Sequence, residues 1–217
     1  MRYPDTTLVK LYHHKIKYLL KPPVKILDYG CGNGTNVFFF RDMGFGVVGV
    51  DINKKAIVKA KIQNERFLLG RRFGPEAGAT FNVISSEVSE DDSFGSGEFD
   101  IVLSWHTLYY LSDSDLRKRV QSFYNNLKPG GLFIATLVGQ QTANYKDTIK
   151  AEDGLRKVPI IDRIKDIHGK DHYVNFTDGA DELIDKFKLF TPVYVGYLDE
   201  AFDKDDNLFH YIFVGRK

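Results

Sequence analysis

Gly30, Gly32 and Gly34 stand at alternate positions just after a carboxylate, Asp28, at the close of a short apolar run. Glycines in a strand-to-helix turn let the backbone approach a ligand, and the helix that follows presents unpaired N–H groups to it. A phosphate suits such a loop, but Asp28 would repel one. The dinucleotide fingerprint G-x-G-x-x-G, started at Gly30, would also need glycine where Thr35 stands. A carboxylate at this place suits a ligand that is positive near the loop. Asp51 closes a second apolar run about 20 residues beyond the glycines. His106 follows a later apolar run, with Tyr109 and Tyr110 beside it. An imidazole titrates near neutrality and can take the proton of a hydroxyl or amine. Plainer roles are a tight turn for the glycines and a structural hydrogen bond at the rim for His106.

These residues need elements to hold them. Asp5-Thr6 can cap a helix carrying Leu8, Leu11, Tyr12, Ile16 and Leu19 at helical spacing, ended by Pro22-Pro23. Short runs at 24–29, 46–51, 80–85, 99–105 and 132–137 read as strands buried on both faces. Helices are expected from Thr35 through Arg41, from Asn53 to Gly70, from Ser112 or Asp113 through Leu127, and over 178–190. KPGG at 128–131 reads as a turn. Strands alternating with helices imply a parallel sheet covered on both faces. PVYVGYLDE and LFHYIFVGRK, joined by the polar DKDDN, read instead as an antiparallel hairpin. Residues 139–176 show weak periodicity and many charges, and are expected to lie over the ligand edge of the sheet as an acceptor-side insertion within a single domain, 1–217.

The run VKILDYGCGNG (24–34) resembles the first motif of the class I, Rossmann-like S-adenosylmethionine-dependent methyltransferases, hydrophobic residues followed by D/E-x-G-x-G-x-G. Asp51, EFDIVLSWHTLYYL (98–111) and LKPGGLFIAT (127–136) continue the resemblance in order along the chain, and the terminal hairpin matches the family's antiparallel seventh strand. The resemblance implies an α/β three-layer sandwich around a mostly parallel seven-stranded sheet. It implies S-adenosyl-L-methionine as cofactor, which carries an ammonium and a sulfonium but no phosphate, and S-adenosyl-L-homocysteine as product. Asp28, Gly30, Gly32, Asn33, Asp51, Ile52, Ser86, Glu87 and Ser104 are the cofactor-binding positions it suggests. Where the family commonly has an acid and a small apolar residue after the third strand, this chain has ISSEVSEDD (84–92), with Ser86, Glu87 and Val88 as candidates.

Methyl transfer to oxygen or nitrogen needs alignment, exclusion of water and removal of a proton. His106 is the candidate base, and Tyr109, Tyr145 and Tyr173 are the candidate acceptor-binding residues, with Arg163 a further residue of the insertion. Adjacent residues on a helix diverge, so only one of Tyr109 and Tyr110 is expected to face the ligand. Cys31, the single cysteine, excludes an internal disulfide and a multi-cysteine zinc site. His168 and His172 are separated by Gly169 and form no ligand pattern, so no metal is expected.

The expected acceptor is a small molecule, a metabolite or saccharide-type compound. Net charge is +1 and no basic surface is indicated beyond the third helix, where Lys54, Lys55, Lys59, Lys61, Arg66, Arg71 and Arg72 read as a solvated face. SWHT (104–107) stands where amino-methylating DNA enzymes of this family carry Asn/Asp-Pro-Pro-aromatic, which argues against nucleic acid. Two alternatives stay open: a catalytically silent cofactor-binding module or partner subunit, and a nucleic-acid methyltransferase. Met1–Leu11 is polar and broken by Pro4, no apolar run reaches bilayer length, and a cytoplasmic setting is the expectation.

Overall fold

The computed structural model describes residues 4–68, 78–94, 98–159, 172–203 and 206–217. Its frame is a seven-stranded sheet of β1 (Lys25–Tyr29), β2 (Gly46–Asp51), β3 (Ala79–Val83), β4 (Phe99–Ser104), β5 (Leu127–Val138), β9 (Thr191–Asp203) and β10 (Asp206–Arg216). The strand order is β3-β2-β1-β4-β5-β10-β9. β1 pairs in parallel with both β2 and β4, and β10 alone is antiparallel to the parallel set, at β5. Strand order therefore reverses between β1 and β4, and ligands of open α/β sheets bind beyond the carboxyl ends at such a reversal.

Apolar residues of both parities explain the two-sided burial. In β1, Ile26 packs with Leu8, Val37 and Ile57 on one face of the sheet. Leu27 and Tyr29 pack with Leu116, Phe123 and Phe187 on the other. The first layer is α1 (Thr6–His14), α2 (Thr35–Asp42) and α3 (Lys54–Leu68), and the second is α4 (Asp113–Asn126) and α5 (Ala180–Lys186). The expected three-layer α/β sandwich with an antiparallel terminal hairpin is the observed architecture.

Local expectations needed correction in three places. The first helix stops at His14, because Lys15 leaves helical geometry at φ −128°, and a short 3₁₀ turn carries Ile16–Leu19. KPGG is part of β5, which starts at Leu127 opposite Phe99 and shifts register before Leu132 meets Ile101. The weakly periodic segment after β5 holds a second, three-stranded antiparallel sheet, β6 (Ile149–Lys150), β7 (Leu155–Val158) and β8 (His172–Asn175). Asn175 ties this sheet to the main body, its Nδ2 donating to the Leu111 carbonyl at 3.3 Å and to Asp113 Oδ1 at 2.8 Å. Among the described residues no helix is long and apolar enough to cross a membrane.

Candidate active site

The β1 loop is bent by its glycines. Gly30, Gly32 and Gly34 have φ values of +77°, +54° and +82°, a region that side chains disfavour. The bend aims Gly32 N–H at Asp51, whose Oδ2 accepts it at 2.8 Å, while Asp51 Oδ1 accepts the Asn53 N–H at 2.7 Å. One carboxylate thus joins the loop after β1 to the turn after β2. Both oxygens keep further acceptor capacity.

Against this joint lies a cleft of about 510 Å³. Its floor is Tyr29 and Gly30, Asp51, Ile52 and Asn53 form one side, and Ile84 and Ser86 follow β3. His106, Thr107, Tyr110 and Leu111 from the β4 loop, with His172 from β8, close the other side. Other clefts lie elsewhere, among them one between α4 and α5 and one at the opposite, amino-terminal ends of β1 and β2.

Asp28 lies one layer beneath, 1% exposed, on the same face of β1 as Ile26. Burial, and then the charge of Asp51, push its carboxyl up to about 7. Its Oδ2 has no hydrogen-bond partner among the described residues. A buried carboxylate left this way is costly unless a positive group or donor meets it. The same burial, with the charges of Asp28 and Asp51, pushes the Cys31 thiol up, so it stays protonated and is no nucleophile.

His106 has the left-handed φ of +57°. Its own N–H donates to Thr136 Oγ1 at 2.8 Å, which pins the turn that carries the ring. Nε2 lies 3.4 Å from Asp5 Oδ2, and Nδ1 lies 3.5 Å from Thr136 Oγ1. The His210 ring lies beside it, tilted by 58° with the ring centroids 4.3 Å apart. Burial, with the His106 charge second, drives the His210 imidazole down to about 3, so it stays neutral.

Of the residues singled out in the sequence, the cleft brings together Gly30, Asp51, Ile52, Ser86 and His106. Gly32, Asn33 and Asp28 belong to the loop and strand just behind it. Others go elsewhere. Ser104 is fully buried and donates to the Tyr29 carbonyl at 3.3 Å, so it fastens β4 to β1 rather than facing a ligand. Glu87 is exposed off the cleft. The 3₁₀ turn Leu108–Tyr110 sends Tyr109 into the core and leaves Tyr110 46% exposed on the wall, reversing the choice of Tyr109. Tyr145 packs on Phe176 and under Arg156, and Tyr173 points away from the wall that its strand neighbour His172 joins. Arg163, His168, Arg71 and Arg72 lie outside the described residues. Ile84, Thr107 and Leu111 were missed, Asn53 was placed only at the start of the third helix, and His172 was named only as no metal ligand. Only for Asn53, next to the acid that ends β2, did local sequence offer a signal. Among the described residues no group of three or more His, Cys, Asp or Glu is arranged for a metal.

A family profile for a methyltransferase domain matches residues 6–175. An uncharacterized methyltransferase of Synechocystis sp. is 32% identical over 114 residues, covering 52% of this chain and 47% of that one. Phosphoethanolamine N-methyltransferase 3 of Arabidopsis thaliana is 30% identical over 118 residues, covering 54% of this chain and 21% of that protein. This chain thus spans half or less of the length of these curated relatives. A SAM-dependent methyltransferase from Methanosarcina mazei superposes with a TM-score of 0.73 at 20% identity, over 93% of this chain and 96% of that one, a likeness of fold.

Proposed function

The chain belongs to the class I S-adenosylmethionine-dependent methyltransferases, and from that premise we propose that it transfers a methyl group to an oxygen or nitrogen of a small metabolite or saccharide-type acceptor. The observation that carries this is the convergence of Asp51, the β1 glycine loop, His106 and Tyr110 on one cleft at the strand-order reversal. The residues fit the cofactor. Asp28 offers a buried carboxylate oxygen without a partner, suited to an ammonium directly or through water. Asp51 offers acceptor capacity to a ribose diol, and Ile52 and Ile84 give an apolar wall suited to a purine. Ser86 is the polar group beside that wall.

When bound, the cofactor supplies a methyl carbon on a sulfonium that departs as a neutral thioether. The protein supplies position and proton traffic. Tyr110, Thr107 and His172 form a polar acceptor side, which favours a hydroxylated compound over an apolar one. His106 takes the proton from the acceptor hydroxyl or amine as that atom's lone pair forms the new bond to carbon. His172, carried by β8, closes the cleft beside Tyr110 and limits water at the reacting atoms.

The test is release of S-adenosylhomocysteine from pooled small metabolites by the wild type and His106→Ala. Wild-type turnover is expected, with the variant slower by about 10²-fold and cofactor affinity kept. Affinity without turnover on any pool would mark a silent binding module. Turnover on RNA or DNA alone would mark a nucleic-acid enzyme. Full activity in His106→Ala would leave His106 as a rim residue.

A further inference from the structure

We propose that Asp5 is the positioning residue of His106, holding its imidazole in the tautomer protonated at Nε2 and so leaving Nδ1 as the nitrogen that accepts the proton. This rests on the reading of His106 as base. Asp5 sits at the start of α1, 101 positions from His106 in sequence. Its two oxygens have separate tasks. Oδ1 accepts the N–H groups of Thr7 at 2.7 Å and Leu8 at 3.1 Å, capping α1. Oδ2 faces His106 Nε2 at 3.4 Å.

The tautomer follows from charge. Burial would raise the Asp5 carboxyl, but the bond to His106, the Leu8 N–H, the His106 charge and the Thr7 N–H together outweigh it and bring it to about 2. An ionised carboxylate is acceptor-only, so the facing nitrogen must carry a hydrogen. On the ring's other side, Thr136 Oγ1 accepts the His106 backbone N–H, and its hydroxyl hydrogen is free to point at Nδ1. Thr136 is compatible with this tautomer, and Asp5 selects it. The 3.5 Å Nδ1 contact is at the outer edge of hydrogen bonding, so an acceptor hydroxyl can replace it. His210 does not compete for the role, since both its ring nitrogens are buried. With the side chain 31% exposed, the His106 ring remains reachable from the cleft.

Asp5→Ser and Asp5→Asn separate this role from the cap, because Ser and Asn both cap helices well. Serine removes the partner of Nε2, and asparagine can donate to it and invert the tautomer. Long-range ¹⁵N–¹H spectra of the wild type are expected to show His106 protonated at Nε2, and of Asp5→Asn at Nδ1. In both variants kcat should fall by roughly tenfold or more, with acceptor KM and cofactor affinity within about twofold of wild type. A wild-type ring protonated at Nδ1, or an Asp5→Asn enzyme with unchanged kcat, would overturn the proposal. His106→Ala in the same assay keeps the two failures apart. If it retains full turnover the base reading falls, whereas a slow His106→Ala beside a fully active Asp5→Asn removes Asp5 alone.

Discussion

Asp28 carries a cost in the free protein that a bound cation would relieve. Its unperturbed carboxyl titrates near 3.8, and burial with Asp51 lifts it to about 7. Between those values the folded chain keeps a proton that the unfolded chain has released. Stability should therefore fall as pH rises from about 4 to about 7 and level off above. Asp28→Asn removes this slope, so in thermal melts the variant should gain on wild type toward pH 8 and lose that gain toward pH 4. A cationic group against Asp28 would stabilise the ionised form, so cofactor affinity relative to Asp28→Asn should rise about tenfold from pH 6 to pH 8. A flat ratio would show that no positive group meets this carboxylate. The motif around Asp28 was legible because its meaning is local: an acid, then glycines at fixed spacing. Asp5 was legible only as a helix cap. Its second contact, to His106, depends on how α1 docks on the sheet, and no local pattern records that.

At the scale of elements, the glycines divide their labour. A Cβ on Gly30 would fall on the Thr107 side chain, so the β1 loop and the β4 loop touch only because that carbon is missing. A Cβ on Gly32 would meet nothing within 4 Å. Left-handed backbone costs an L residue about 1–2 kcal/mol, and overpacking typically adds about 1–3 kcal/mol. Gly30→Ala is therefore expected to lose about 2–5 kcal/mol of stability in urea titration. Gly32→Ala should lose only about 1–2 kcal/mol while binding cofactor less tightly per folded molecule. Equal losses of stability in the two variants would contradict this division. The main strands were readable as apolar runs because both faces of the sheet are covered. β6, β7 and β8 were not, since they are two to four residues long and carry Lys150, Arg156, Lys157 and His172 among the apolar residues. The choice between Tyr109 and Tyr110 failed for a related reason: a single 3₁₀ turn, rather than a helix, decides which ring faces out.

Over the whole molecule, the alternation of strands and helices carried the architecture, and the order of motifs carried the family. What the alternation does not encode is the far side of the cleft, where His172 comes from a sheet built after β5 and meets Tyr110 edge-on at 5.2 Å. All of these parts converge on one place because the sheet reverses its strand order between β1 and β4. Asp51 stands at the centre of that convergence, bonded to the β1 loop and lining the cleft. Calorimetric titration of S-adenosylmethionine into wild type and folded Asp51→Ala therefore tests the central claim most directly. Wild type should bind one cofactor, and the variant should bind more weakly by about 1.5–3 kcal/mol, the usual value of a hydrogen bond to a charged group. Equal affinity in the two proteins would contradict the placement of the cofactor in this cleft.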